Sequence, residues 1–497
     1  MAFISYIPLV WIAKTQSIKK LFYQGLFFGV LFNLGSLYWL YTALNSFGGL
    51  HPAISIFVQI LLSFILAFYF VLPWCLAKWV SQKNKIDFYF VLPIFFIAAE
   101  WCRCRWPMGG FPWGQIGYSQ ARTLSLIQIA DIFGVYGVTT LVLWGNLWCF
   151  EIVKKIFPSP LRGGGRKRGR GVKLLFFPLL LLCTFLYGKH QIQQLQSLEE
   201  KSAVLKAAFI QGNIQQDEKW DTTSAKKIMG RYEQLTQQAA EEGAQFIFWP
   251  ESSYPYDVIL NEKAVLLSTA KNLLGKNEDR ALILGAITED HPHSDLFHNS
   301  ALLIDSKKLS VYHKQKLVPY GEYVPLKEYL PFLDKLTVQV GNFYPGQKFS
   351  LLESQGAKIG SLICYEDIFP EVARGHAFAG ANLLANLTND AWYGPSSALP
   401  QHLNFSIFRA VENRRMLVRV TNTGASAFIH SWGALESELP YWKEAVGKGE
   451  IKLLEVKSFY TRYGDVFAYF CLLSSLFGIL LSLLKRNPYS VNRPRCN

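Results

Sequence analysis

The chain is short of charge: only 17% of its 497 residues are Asp, Glu, Lys or Arg, against 51% hydrophobic and 15% aromatic. That balance excludes an ordinary soluble enzyme along the whole length and requires part of the chain to sit in lipid. Acidic residues are scarcer still, 36 against 50 basic ones, for a net charge of +14. Spread over a soluble surface, such an excess would suggest nucleic acid. Here much of it falls in short segments beside apolar runs, as membrane topology demands. The densest segment, eight basic residues from Lys154 to Lys173, carries no interleaved series of aromatic residues on which bases would stack, Phe157 being its single ring. Its glycines 163–165 lack a following Lys-Ser or Lys-Thr and form no phosphate cradle. No nucleic-acid partner is expected.

What is there in quantity is apolar sequence. Runs at 21–44, 52–76, 88–99, 124–150, 172–187 and 466–484 read as six spans, and 2–13 is apolar but too short for one. No small-residue cleavage site follows residue 13, so a removed signal peptide is not expected. Basic loops at 19–20, 78–85 and 154–173 and the tail from 485 alternate with the spans as the positive-inside rule requires. The expected order is a multi-span domain over 1–188, an extracytoplasmic domain over 203–463, a spanning helix over 464–486 and a basic cytoplasmic tail over 487–497. Arg103, Arg105 and Arg122 fall on the side where few basic residues belong, so each is expected to meet phosphate headgroups or to snorkel to the interface.

Thiols are also scarce outside the spans. Of Cys75, Cys102, Cys104, Cys149, Cys183, Cys364, Cys471 and Cys496, only Cys364 falls between 189 and 464. In an oxidising compartment a structural cysteine has a partner, so a solitary one is either a small core residue or a reactive thiol. Cys102 and Cys104 have no further ligands nearby, and His291, His293 and His298 read as a loop before a strand, so no metal is expected.

Between 205 and 421, short β-type runs at 205–211, 245–249, 281–287, 301–304, 359–364, 382–386 and 416–421 alternate with helical stretches at 224–242, 264–274 and 401–414. Alternation of this kind predicts a layered α/β fold. Gln245-Phe-Ile-Phe-Trp-Pro-Glu251 ends a strand in a carboxylate, Tyr312-His-Lys314 leads into Leu317-Val-Pro-Tyr-Gly-Glu322, and Leu362-Ile-Cys-Tyr-Glu366 ends a strand in a thiol. Taken singly, Glu251 reads as well as a turn residue, Lys314 as a surface charge and Cys364 as core. Taken together they suit acyl transfer. The thiol needs a base, which Glu251 offers, and the tetrahedral intermediate needs a cation at its oxyanion, which Lys314 offers.

These segments resemble the Glu-Lys-Cys signatures of the nitrilase superfamily and, more narrowly, of the apolipoprotein N-acyltransferases. Gln211-Gly-Asn-Ile214, Asn389-Asp-Ala-Trp-Tyr-Gly394, Phe111-Pro-Trp113 and Gly117-Tyr-Ser-Gln120 extend the resemblance over nearly the whole chain. It implies an integral membrane helical domain carrying an extracytoplasmic α-β-β-α sandwich. It assigns Cys364 as nucleophile, Glu251 as general base and Lys314 as oxyanion stabiliser, with Glu322, Glu366 and Tyr365 supporting them and Trp220 and Trp392 near the substrate entrance. The implied donor is a phospholipid and the implied acceptor a diacylglyceryl-lipoprotein. The enzyme would be a monomer in the bacterial inner membrane, with its catalytic domain in the periplasm and no cofactor. Members of that family have eight spans, so a first span has no counterpart among the six, and Tyr320 stands where phenylalanine is common. Two rival readings use the same residues. One is a membrane-tethered amidase with water as acceptor, and the other is a transporter or lipid receptor, for which Asp131 is the main intramembrane acid.

Overall fold

A computed structural model describes residues 1–107, 109–157, 170–219, 221, 223–261, 273–274, 279–291, 296–325, 329 and 343–485. Trp220, His293, nearly all of the expected helix at 264–274, the middle of the basic loop and the tail at 487–497 lie outside the described residues.

Among the described residues four helices are long and apolar enough to cross a membrane: Pro52–Asn84, Ala130–Ile156, Leu174–Glu200 and Val466–Leu484. Ile18–Ser36 and Leu40–Phe47, bent by 61° at their break, make a fifth if they act as one span. The remaining expected run folds as Phe88–Arg103, whose 16 residues fall short of the roughly 20 a span needs. Its apolar side chains are largely buried among its helical neighbours, so a protein-facing run carries the same hydrophobic signal as a lipid-facing one. The short apolar helix Ala2–Thr15 buries Leu9, Val10 and Ala13 against the same bundle.

The α/β domain contains two sheets. The first joins β1 (Val204–Gln211), β2 (Phe246–Phe248), β3 (Val258–Ile259), β4 (Ala281–Glu289), β5 (Phe297–Asp305), β6 (Leu309–His313) and β13 (Ala445–Lys452), ordered β13-β1-β2-β4-β5-β6 with β3 beside β4. The second joins β7 (Leu352–Ser354), β8 (Ala357–Ile363), β9 (Leu383–Thr388), β10 (Leu417–Thr421), β11 (Ala427–Ile429) and β12 (Leu435–Glu436), ordered β12-β11-β10-β9-β8-β7. Parallel neighbours form the centre of each: β1-β2-β4 and β8-β9-β10.

Strand periodicity builds the layers. Phe209, Phe248, Ile283, Ile359, Ile363, Val418 and Phe428 meet between the sheets. Their neighbours Ala208, Ile210, Ile247, Leu282 and Leu284 face the helix Ala225–Glu241. Leu362, Leu384 and Leu417 face the helices Pro370–Phe378 and Ala398–Asn413. The result is an α-β-β-α sandwich of nitrilase-like architecture.

The membrane-side helices pack on the outer helix of the second sheet, in one cluster that runs from Leu362 through Phe405 and Phe408 to Trp113, Tyr118, Tyr136 and Ala468. Polar pairs stitch this seam. Asp131 of the Ala130–Ile156 helix meets Arg414 at 2.7 Å and accepts from Tyr187 at 2.8 Å, and Arg409 donates to the Tyr118 hydroxyl at 2.8 Å. All three arginines singled out in the sequence have protein partners. Arg103 is buried and donates to the carbonyls of Phe111 and Trp113, Arg105 pairs with Asp465, and Arg122, more than half exposed, pairs with Glu438 at 3.2 Å.

Candidate functional site

Parallel strands gather the chemistry at one edge of the sandwich. Glu251 follows β2, Lys314 follows β6 and Cys364 follows β8, each at the end where its strand stops. The turns are sharp: Cys364 has φ +50° and Ser252, next to Glu251, has φ +44°. Such left-handed backbone in a non-glycine residue is strained and persists only where its surroundings hold it. Behind Glu251 the chain crosses β4 at Gly285, where a Cβ would lie 2.6 Å from the Glu251 Cα. Only glycine leaves room there.

The carboxylate of Glu251 is surrounded by donors. Its Oε1 accepts from Lys314 Nζ at 3.3 Å and Asn299 Nδ2 at 2.9 Å, and its Oε2 accepts from the Asn389 backbone N–H at 3.0 Å. Lys314 also donates to Glu322 Oε1 at 2.8 Å, and Asn299 reaches the same oxygen at 2.7 Å. Glu322 is fixed in turn by the Val318 N–H at 2.8 Å. Lys219, on the short helix Gln216–Lys219, donates to the Glu251 carbonyl at 2.9 Å.

These contacts set the charges. Burial works to raise the Glu251 pKa, but Lys314 and Lys219, with hydrogen bonds from Asn299 and Cys364, bring it below the ordinary carboxylate value. Burial likewise opposes the charge on Lys314, yet Glu322 and Glu251 hold it well above the usual lysine range. Cys364 is pushed far up, first by burial and then by the Glu251 charge, with Lys314 pulling the other way. The resting pair is therefore an ionised carboxylate beside a protonated thiol. Burial lowers Lys219 to about 8.

Glu366 and Tyr365 take other places. Glu366 lies fully buried behind the site, with Oε1 accepting from Tyr312 at 2.8 Å, Gln315 N–H at 2.7 Å and Lys316 N–H at 3.2 Å, and Oε2 accepting from Ile363 N–H at 2.8 Å. It ties the segment that carries Lys314 to the strand that carries Cys364, and burial pushes its pKa up to about 7 against those donors. The Tyr365 ring packs edge-on against Phe369 at 5.0 Å. Trp392 is half-buried and meets Phe47 of the membrane side at 6.0 Å. Among the described residues no group of three metal-ligating side chains occurs. His298 lies on β5, donating to or accepting from no cluster but pairing with the Tyr344 carbonyl at 2.8 Å.

Sequence reasoning did not single out Asn299 or Lys219. Asn299 has no signal in its type, because an asparagine inside a strand shows its partners Glu251 and Glu322 only once β5 is paired with β4 in the folded sheet. Lys219 had one, since it adjoins Trp220 within a segment that carries the resemblance.

Residues 206–460 match the family model described as Carbon-nitrogen hydrolase, so the sandwich is a domain of that class. Residues 1–148 match the one described as Apolipoprotein N-acyltransferase N-terminal domain. An apolipoprotein N-acyltransferase of Geobacter metallireducens is 36% identical, over 95% of this chain and 88% of its own. Its counterpart in Pseudomonas putida is 30% identical, over 88% of this chain and 83% of its own. The chain belongs to the apolipoprotein N-acyltransferase family. Among solved structures, a mutant amidase of the nitrilase superfamily from Nesterenkonia AN1 aligns with TM-score 0.41 at 20% identity, over 54% of this chain and 97% of that one.

Proposed function

We propose that the protein transfers an acyl chain from a membrane phospholipid to the α-amino group of the S-diacylglyceryl cysteine that begins a lipoprotein, through a thioester on Cys364. One observation carries the reading. Glu251, Lys314 and Cys364 meet at one buried edge of the sandwich with Lys314 3.3 Å from the Glu251 carboxylate, in a domain whose outer face packs on helices long enough to cross a bilayer.

Glu251 takes the Sγ proton as sulfur attacks the sn-1 ester carbonyl, and Lys314 faces the oxyanion. The intermediate collapses by breaking the C–O bond, and Glu251 returns its proton to the departing lysophospholipid alkoxide. The lipoprotein amine then attacks the thioester, loses a proton to Glu251 and expels the thiolate, which recovers that proton. Glu322 and Asn299 hold Lys314 and Glu251 at their spacing, and Glu366 holds the two segments together. Trp392 belongs to the entrance, where acyl chains keep water from the thioester, and the resemblance assigns Trp220 the same task. The basic loops favour a bacterial inner-membrane protein with the sandwich in the periplasm.

The test uses purified full-length protein with phospholipid alone, followed by peptide mass spectrometry. An acyl mass on the Cys364 peptide that chases onto a diacylglyceryl peptide supports the transferase. Fatty acid released without N-acylated product would favour hydrolysis and sink it.

A further inference from the structure

The Cys364 sulfur has a further neighbour besides Glu251 and Lys314. Strands β8 and β9 run parallel with Ile363 opposite Leu387, so the next residues, Cys364 and Thr388, stand side by side at adjacent strand ends. The fully buried Thr388 hydroxyl donates to Asp390 Oδ1 at 3.1 Å and stands beside the Cys364 side chain, where a hydrogen bond from it favours the thiolate. A hydroxyl has one proton and two lone pairs, so it cannot donate to both.

We propose that Thr388 is a switching partner of the sulfur, donating to Asp390 while Cys364 is a thiol or thioester and to Cys364 whenever a thiolate forms. This rests on Cys364 being the acyl carrier. Asp390 is fixed enough to serve as the other pole. His402 Nδ1 lies 2.8 Å from its Oδ1, and Arg419 Nη2 donates to its Oδ2 at 2.7 Å. Gly424 closes the remaining side, since a Cβ there would lie 2.8 Å from Oδ2. His402 itself packs against Trp113, whose Nε1 donates to Gln401 at 2.6 Å. The pole is thus anchored through the membrane-side loop.

The chemistry gives the switch a purpose. The charged and titratable groups facing the sulfur are Glu251, Lys314 and Lys219 from the first sheet's side and Asp390 and Tyr393 from the Asp390–Tyr393 turn. Lys314 is already shared between two carboxylates and must serve the carbonyl oxygen during attack. A neutral donor on the sulfur leaves Lys314 to that task. As the S–H proton passes to Glu251 and the S–C bond forms, the Thr388 proton turns to sulfur and then back to Asp390. When the amine forms its N–C bond and C–S breaks, the proton turns to sulfur again. No proton leaves Thr388 in either step.

The experiment compares Thr388→Val, Thr388→Ala and Thr388→Ser in the full-length protein in phospholipid micelles. It reads the rate of Cys364 alkylation by iodoacetamide at fixed pH, peptide by peptide, and the single-turnover rate of thioester formation. Loss of a hydrogen bond to a charged group predicts that Val and Ala slow both alkylation and thioester formation by about 10- to 100-fold. Ser recovers both to within a few-fold. Ala removes the hydroxyl without adding a methyl, so a packing fault confined to Val cannot mimic the result. Alkylation rates in Val and Ala equal to that of the parent, or a Ser variant as impaired as they are, overturn the switch. Separately, acyl product from Cys364→Ala would overturn the carrier reading itself, and the alkylation rates would still report on Thr388.

Discussion

Lys314 and Glu251 form a buried ion pair at 3.3 Å, and that pair sets the charge of the candidate base. Its removal has a readable sign. Glu251 must be ionised to take a proton, and its pKa is depressed, so activity should hold until pH falls below the ordinary carboxylate range. In Lys314→Met the depression is lost, and the acid limb of the activity profile should move to higher pH while the maximum falls. The same depression adds stability above the unfolded carboxylate pKa, which is lost as pH falls through the lowered folded value. An unmoved acid limb in a folded Lys314→Met protein would remove Lys314 from this role.

Glu366→Gln should be far from neutral. All four neighbours of its oxygens donate, and an amide must turn its NH2 toward one of them, either Ile363 N–H or the trio at Oε1. A buried donor facing a donor costs about 1–3 kcal/mol. The melting temperature should fall and the loss of activity should exceed the loss of folded protein, because the segment bearing Lys314 is tied to the Cys364 strand through this carboxylate. Thermal unfolding and activity on the same sample check both.

Gly285→Ala tests the turn without touching a charged group. The added Cβ meets Glu251 Cα at 2.6 Å, Ser252 N at 2.6 Å and Pro250 O at 2.7 Å, all backbone, so the turn must shift. Overpacking of this kind costs about 1–3 kcal/mol. Acyl transfer should drop more than the amount of folded protein, and wild-type turnover would count against the Glu251 placement.

Asp131→Asn addresses the seam. It leaves the Arg414 guanidinium buried without its carboxylate, a loss of about 3–5 kcal/mol for a broken buried pair. Denaturation of the detergent-solubilised protein should show this. Pairing it with Arg414→Met should recover part of the loss, whereas strict additivity would mean the two side chains do not couple.

The two-layer alternation, the residues at the strand ends and the apolar helical region were all legible in the sequence, because period-2 and long apolar runs are local patterns. The short strands β7, β11 and β12 and the helix Pro370–Phe378 were not, since two or three residues or a nine-residue helix give too little period to read. The run at 88–99 folds as the 16-residue helix Phe88–Arg103, shorter than the four long apolar helices, and its hydrophobic signal does not tell burial in protein from burial in lipid, because both select the same side chains. The protein partners of the arginines were not legible for a related reason: a local window shows where a charge is but not the distant Asp465 or Glu438 that meets it. Asn299 and Thr388 owe their places to strand pairing, which no local window contains.

The Ala398–Asn413 helix is buried on both sides, by the second sheet and by the rings of Trp113 and Tyr118. Its Phe405, Phe408 and Arg409 are therefore as much part of the membrane half as of the sandwich. A gene fragment cut at the domain border would leave these side chains without cover, and its product should aggregate where soluble relatives of the class do not. In this chain the anchor and the reaction vessel are inherited as one piece, and exchange of either between relatives has to carry the helix and the tryptophan loop together.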